Sequence, residues 1–422
     1  MASANTYGTP NNTTGTLNGF FKETYADKLA ELIPDGVKLL NKIKFMSKDK
    51  TPGNLFHQPI ILGLEHGVTF AGSDEDAFNL QAPVAGQVKD AQVKGSPAVL
   101  RSLLGYVAAS RAALGGQKAF MDATKYLVAN MLRSMAKKLE IEMLYGQVGY
   151  AKPVASAGSN SSGGTTAGAV VAIQDAEWAP GIWAGAEGMP IDIRESSGTL
   201  RASVKVLSVN MEQKTITVDS TVSGILASDI IWHKGAYGNE FPGIHKILTN
   251  SGVLFNIDAG TYNLFRGNEY DAGGAALSFT KLGQAATRAV EKGQEGTLLA
   301  LVNPRGWQNM LTDQAALRKY DQSYSPAKME NGSKSLKFHS QNGEIEIEPS
   351  LYVKEGYSYL LNVEDWMRVG SSDITFKRPG QGEEFFRDLE NSAAYELRLY
   401  TDQALFCQAP GRNTLIKNIV NS

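Results

Sequence analysis

The stretch from residue 53 to residue 110 limits the possible folds of this chain more than any other. Two β-like pieces, NLFHQPIILGLEHGVTF and PVAGQVKDAQVKGSPAVLRSLLGYVAAS, flank a hydrophilic tip, AGSDEDAFNLQA. They read as the two arms of one long hairpin. A two-stranded ribbon has no second layer to cover its faces and is at best marginal in water. It must therefore lean on a neighbour, either within the chain or from another copy.

Gln117 to Tyr145 carries the strongest local signal. Phe120, Thr124, Leu127, Val128, Met131, Leu132, Met135, Leu139 and Met143 recur at helical spacing between Gly115-Gly116 and Gly146, which predicts one helix of roughly 40 Å with this stripe as core. Before the ribbon, residues 1–19 carry no charge and little bulk, the composition of an arm that orders only against something else. An amphipathic helix is expected from Phe20, ended by Pro34-Asp35-Gly36, followed by Lys38, Lys42, Lys44, Lys48 and Lys50. A solvated helix face is the ordinary account of these lysines; a surface touching nucleic acid is the alternative.

After the long helix, the small polar run ASAGSNSSGGTTAG reads as a surface loop. Residues 200–232 turn to β, suggesting a small β unit of about 50 residues. From Ser278 the pattern becomes mixed α/β. Ser278 can cap a helix ended by Gly293, TLLALV is a buried strand, and Asn303-Pro304 opens a further helix as N-cap and first helical residue. Glu344 to Glu348 alternates as a strand with one wet face, its partner expected at YSYLL, 357–361. Near the end, Tyr395, Leu397 and Leu399 alternate with Glu396 and Arg398 in a long strand, followed by a short terminal one.

The chain's 41 Lys+Arg balance 43 Asp+Glu, a formal charge of −2, which argues against affinity built on neutralising many phosphates. No apolar run approaches the ~18 residues needed to cross a bilayer, and the start lacks the basic and apolar parts of a secretory signal, so a soluble product that stays where it is made is expected. Cys407 is the one cysteine and reads as a small buried apolar residue in a strand. His57, His66, His233, His245 and His339 are scattered, with no HExxH or Cys/His cluster. There is no phosphate-cradling glycine loop and no GxSxG elbow. Glu383/Glu384 and the run Asp74, Glu75, Asp76 lie in polar segments where nothing would shift a carboxylate for acid–base work. No cofactor, metal or catalytic residue is expected.

The order of parts resembles the Hong Kong 97 capsid fold of tailed-phage major capsid proteins, an α+β architecture. WAPGIWAGAEGM, WHKGAYGNEFPGIHKILTNSGVLFNID and FFRDLENSAAYELRLYTDQALFCQAP add to the likeness through their co-occurrence. The resemblance implies an N-terminal arm at 1–52 and an E-loop hairpin with its base at 53–110. It implies a P domain at 111–194 with spine helix 117–145, a β insertion at 195–252, an A domain at 253–382, and closing P-domain strands with a C-terminal A-domain strand at 383–422. Function is then expected to be self-assembly into hexamers and pentamers of an icosahedral shell around double-stranded DNA, in the virion, after assembly in the bacterial cytoplasm. Asp74, Glu75, Asp76 and Phe78 become candidate inter-subunit contacts. A separate scaffolding protein is expected, since no helical prodomain is seen, together with a portal and decoration proteins; contact with DNA is expected to be weak. An encapsulin-type nanocompartment shares the fold and is the alternative. A hydrolase has no motif in its support, and a tail adhesin would need β repeats that are not seen.

Overall fold

The computed structural model describes residues 36–46, 55–74, 77–105, 117–155, 169–220, 222, 224–312, 336–376, 387–389 and 392–421. The expected N-terminal arm and Phe20 helix, Lys48, Lys50, Glu75, Asp76, nearly all of the 155–168 loop and Glu383/Glu384 lie outside these residues.

In chain order the elements begin with α1 (Leu39–Lys42), β1 (Phe56–Gly63), β2 (Gln87–Val93), β3 (Ser96–Gly105), α2 (Gln117–Tyr145) and β4 (Ala169–Ala172). Then come α3 (Pro180–Trp183), β5 (Pro190–Arg194), β6 (Leu200–Asn210), β7 (Thr215–Val218), β8 (Ile230–His233), α4 (Ile244–Leu248), β9 (Val253–Leu254) and β10 (Ile257–Asp258). The last part holds β11 (Asn268–Ala275), α5 (Phe279–Val290), β12 (Leu298–Val302), α6 (Pro304–Thr312), β13 (Leu336–Ser340), β14 (Gly343–Pro349) and β15 (Ser358–Leu361). It closes with β16 (Trp366–Thr375), β17 (Arg387–Leu389), β18 (Ser392–Cys407) and β19 (Thr414–Ile419).

The mixed α/β part is one six-stranded sheet in the order β11-β19-β15-β12-β14-β13. Every residue of β12 is buried, as its unbroken apolar run requires of a central strand. The Ser278 hydroxyl caps α5 by accepting from the Lys281 amide, and Leu282, Ala285, Ala286 and Ala289 bury one face of that helix. Asn303 accepts from the Arg305 amide at 3.0 Å and so caps α6. Ile345 and Ile347 of β14 are buried and the intervening glutamates are not, so the alternation is real. Its expected partner is not: β14 lies between β12 (parallel) and β13 (antiparallel), and β15 pairs with β12 and β19. A fully apolar strand needs cover on both edges, and β12 takes the place between the two.

A second sheet is built on β18, with β3 on one edge and β16 and β17 on the other. β3 pairs with β18 over ten residues, from Gln403 opposite Ser96 to Ala394 opposite Gly105. The expected long hairpin is thus corrected: only β1 and β2 form it, and the rest of its second arm turns away to β18. Leu397 and Leu399 are fully buried, while Glu396 on the opposite face is covered by Arg101 and Arg398. Cys407, at the end of β18, is buried and unpaired; burial pushes its thiol well up, away from reactivity.

Along α2, Met131, Met135, Leu139 and Met143 are buried as expected, but Leu132 is exposed. The β unit is larger than expected. Its sheet runs β4-β7-β6-β5-β8, and the expected boundary at 194/195 falls inside the β5–β6 hairpin. Residues 150–154 bridge both outer strands, Ala151 to Ile231 of β8 and Pro153 to Ile173 beside β4. The sheet therefore closes as a small barrel, which removes its open edges. No described helix is long and apolar enough to cross a membrane.

Candidate functional site

The β1–β2 ribbon is held at its root. In the register Phe56↔Val93 to Ile61↔Val88, residues 56, 58, 60 and 62 face one way and 57, 59 and 61 the other. Phe56, Ile60 and Leu62 pack on the core together with buried Ala91 and Val93. Phe406 of β18 takes the edges of both Phe56 and Phe255, at 6.1 and 5.3 Å between ring centres. The 253–262 segment props the ribbon from beside. The Gln92 amide donates to the Phe255 carbonyl at 3.0 Å, Asn256 Nδ2 to the Asp90 carbonyl at 3.2 Å, and the Tyr262 hydroxyl to Gln87 Oε1 at 2.6 Å.

Past Gly63 and Gln87 this support ends. Residues 64–86 keep a few local bonds, such as the His66 amide to the Val84 carbonyl at 3.0 Å and the Gln81 amide to Thr69 Oγ1 at 2.9 Å. Their large apolar side chains stand in water: Phe70 is 89% exposed, Leu80 80% and Leu64 72%, with Val68, Phe78 and Val84 also exposed. The cross-strand pair Ile61 and Val88 adds to them on the outer face. Scattered exposed leucines are ordinary, but a concentration of this size marks a surface made to be covered.

Among the described residues, the histidines and acids weighed for chemistry in the sequence form no common site. Among the described residues no group of three or more His, Cys, Asp or Glu could hold a metal ion. His57 pairs with Asp90 at 2.6 Å on the ribbon's outer face, and His245 meets the Tyr359 hydroxyl at 3.1 Å in the core. Burial pushes His245 down to about 3, so it is neutral at ordinary pH. The buried charges serve packing. Lys354 Nζ contacts Glu177 at 2.6 Å and donates to the Gly149 carbonyl at 3.2 Å, over the ring of Tyr145. Burial alone would raise Glu177, but the charge and hydrogen bond of Lys354, with Lys152 beside it, together outweigh burial and hold the carboxyl at about 2. A shallow groove of about 620 Å³ is lined by β-barrel residues including Ser208, Asn210, Glu212 and Thr217 and brings no pair of titratable groups together.

No family model matches the sequence, and no curated protein matches it. Solved structures do match. The capsid asymmetric unit of cyanophage A-1(L) superposes with a TM-score of 0.57 at 12% identity, over 97% of this chain and 99% of the other. The capsid of a native GTA particle gives a TM-score of 0.50 at 8% identity, over 98% and 100%. The chain has the fold of a phage capsid protein.

Within this capsid fold the sequence-named contacts fall as follows. Asp74 and Phe78 both lie on the exposed tip, and Glu75 and Asp76 lie outside the described residues. Sequence reading missed the more numerous apolar candidates, Ile61, Leu64, Val68, Phe70, Leu80, Val84 and Val88; their signal was there, as large apolar residues in a stretch with no second layer to bury them. Of the lysines weighed for nucleic acid, Lys38 and Lys42 are engaged within the chain, both reaching Glu348 on β14, at 3.8 and 2.8 Å.

Proposed function

We propose that this chain is the major capsid protein of a tailed phage, and that many copies associate as hexamers and pentamers to close an icosahedral shell around double-stranded DNA. The observation that carries the proposal is the set of apolar side chains left in water along residues 61–88 of a chain with a capsid fold. In the Hong Kong 97 scheme, 1–52 serves as the N-terminal arm and 53–110 as the E-loop with its base. The spine helix 117–145 belongs to the P domain at 111–194. The β insertion, read from the sequence at 195–252, reaches back to Tyr150 through barrel closure. The A domain is 253–382, and 383–422 returns through the P-domain strands to the last A-domain strand.

The ribbon of one copy then lies on the next, with Asp74, Glu75, Asp76 and Phe78 at its tip. Covering its apolar residues supplies a modest free energy per contact, which sums over a closed shell. A near-neutral chain suits a container, because a strongly basic wall would retain the DNA it must release. A separate scaffolding protein, a portal and decoration proteins are the expected partners, and the virion the location. Geometry, not catalysis, is the function.

The test is electron microscopy and sedimentation of the expressed chain beside a form lacking residues 70–82. The full chain should give capsomers and closed particles, the deletion a folded subunit that does not close. Normal particles from the deletion would refute the role of the tip. Particles from lysates that hold cargo protein and no duplex DNA would identify a nanocompartment instead.

A further inference from the structure

The chain leaves α2 for the barrel through residues 146–150 and returns from β8 to α4 through 234–243. Both passes meet at the C-terminal end of α2. The Gly243 amide donates to the Gly146 carbonyl at 2.9 Å. The backbones run so close that a Cβ on Gly146 would stand 2.2 Å from the Phe241 carbonyl oxygen, and one on Gly243 2.6 Å from the Gly146 nitrogen. Two carboxylates brace this crossing from opposite sides. Glu142 on α2 accepts from the Phe241 amide at 3.2 Å, and Glu240 on the returning pass accepts from the Gln147 amide at 3.4 Å. Gln147, with a positive φ of 64°, also donates through Nε2 to the Glu240 carbonyl at 2.9 Å.

The surrounding charges do not neutralise this pair. Lys138, one turn back on α2, attracts Glu240. Lys137 is turned to the Ala184 carbonyl, with Glu187 as its acidic neighbour. His233, at the end of β8, is half-buried, with both ring nitrogens covered and neither bonded, and desolvation together with these lysines keeps it uncharged. Lys138 is therefore set against Glu240, while Glu142 lies at the helix end where the macrodipole already disfavours negative charge.

We propose that Glu142 and Glu240 form a proton-operated fastening between the long helix and the β barrel, closed while the pair retains a proton and loosened when both carboxyls ionise. Burial pushes Glu142 up to about 8, with the Glu240 charge adding to the rise, and burial pushes Glu240 up to about 7. Both acids thus bind protons more tightly in the folded chain than in the unfolded one, so the fastening is strongest below about pH 4.5 and weakens as pH rises towards 8. The window spans neutrality, where modest changes of pH act on it.

The inference does not depend on shell formation and is tested on the whole chain, assembled or not. Hydrogen exchange of peptides containing the Gln147 and Phe241 amides is followed from pH 6 to pH 9, corrected for the intrinsic chemical rate. In the parent protein the opening frequency should rise by well over tenfold, since each of the two raised carboxyls contributes about one decade or more over this range. Glu142→Gln keeps an acceptor for the Phe241 amide and removes one of the two titrating groups, so its profile should rise less steeply than the parent's, with Glu240 alone still titrating. Glu240→Gln should do the same from the other pass and serves if the first variant does not fold. A parent profile that is flat, or variants that rise as steeply as the parent, would overturn the proposal.

Discussion

Replacing Phe70 and Leu80 together by aspartate separates the ribbon's role in association from any role in folding. Both side chains are almost wholly in water, at 89% and 80% exposure, so neither contributes much to the subunit's own core. Changes at such positions usually alter stability by no more than about 0.5 kcal/mol. If a neighbouring copy covers them, each contributes roughly 2 kcal/mol through burial, and the pair about 4 kcal/mol per contact. That corresponds to about a thousandfold weaker association, before any cost of desolvating the new carboxylates. The measurement is sedimentation velocity over a concentration series, with thermal melting of the unassembled protein alongside. The expected result is an unchanged melt and an assembly threshold moved up by two to three orders of magnitude. An unchanged threshold, or a melt that falls as far as assembly does, would show that these residues are not an interface.

Three further outcomes follow from the buried charges. Glu177→Gln strands the Lys354 ammonium, whose side chain is 4% exposed, and should cost about 3–5 kcal/mol in denaturant unfolding; adding Lys354→Met should recover at least half. Because Glu177 titrates at about 2 in the folded chain, its contribution is complete above about pH 4.5 and is lost as pH falls towards 2. An acid-unfolding series should therefore be steeper for the parent than for Glu177→Gln. Arg368 donates through Nε to the Ile43 carbonyl at 2.9 Å and also reaches Asp373 and Gln403. Arg368→Ala should therefore cost about 3 kcal/mol and speed proteolysis at residues 43–46, read by mass spectrometry of the fragments.

What the amino-acid order revealed depends on how far each signal reaches along the chain. The 117–145 helix, the Ser278 and Asn303 caps, the buried TLLALV strand and the alternation at 344–348 are all written within one or two turns of themselves, and each appears in the fold. Strand neighbours are not so written. Alternation says which residues share a face but not which edge meets which, so β14 was matched to β15 when β12 lies between them, and β3 was assigned to the hairpin when its ten partners lie near residue 400. The barrel escaped notice at its start because the two pieces that close it, the bridging residues 150–154 and the strand at 169–172, are separated by a run of small polar residues. The Glu177–Lys354 pair, 177 residues apart, carries no local mark, since isolated charges read as solvated until the fold buries them.

The tip candidates show the same limit from the other side. Asp74 to Asp76 stood out because like charges in a row are conspicuous, whereas Phe70 looked like an ordinary strand residue and Leu80 like part of a hydrophilic tip. Only the absence of any layer over them distinguishes them.

Exposing these residues is tolerable because the subunit's stability is generated elsewhere. The six-stranded sheet, the β18 sheet and the buried face of α2 share a core in which most apolar side chains are fully covered, while the ribbon beyond Gly63 adds little to it. That division leaves the ribbon free to serve the inter-copy contact proposed for it. The formal charge of −2 bears on the same point: in the proposed shell, copies that crowd together would repel one another only weakly, so a few kcal/mol of apolar burial per contact would be enough to hold them. A strongly charged subunit would need that burial merely to offset repulsion. Under the proposed assembly, near-neutrality and a wet apolar ribbon are therefore two parts of one arrangement, in which weak single contacts become durable through number.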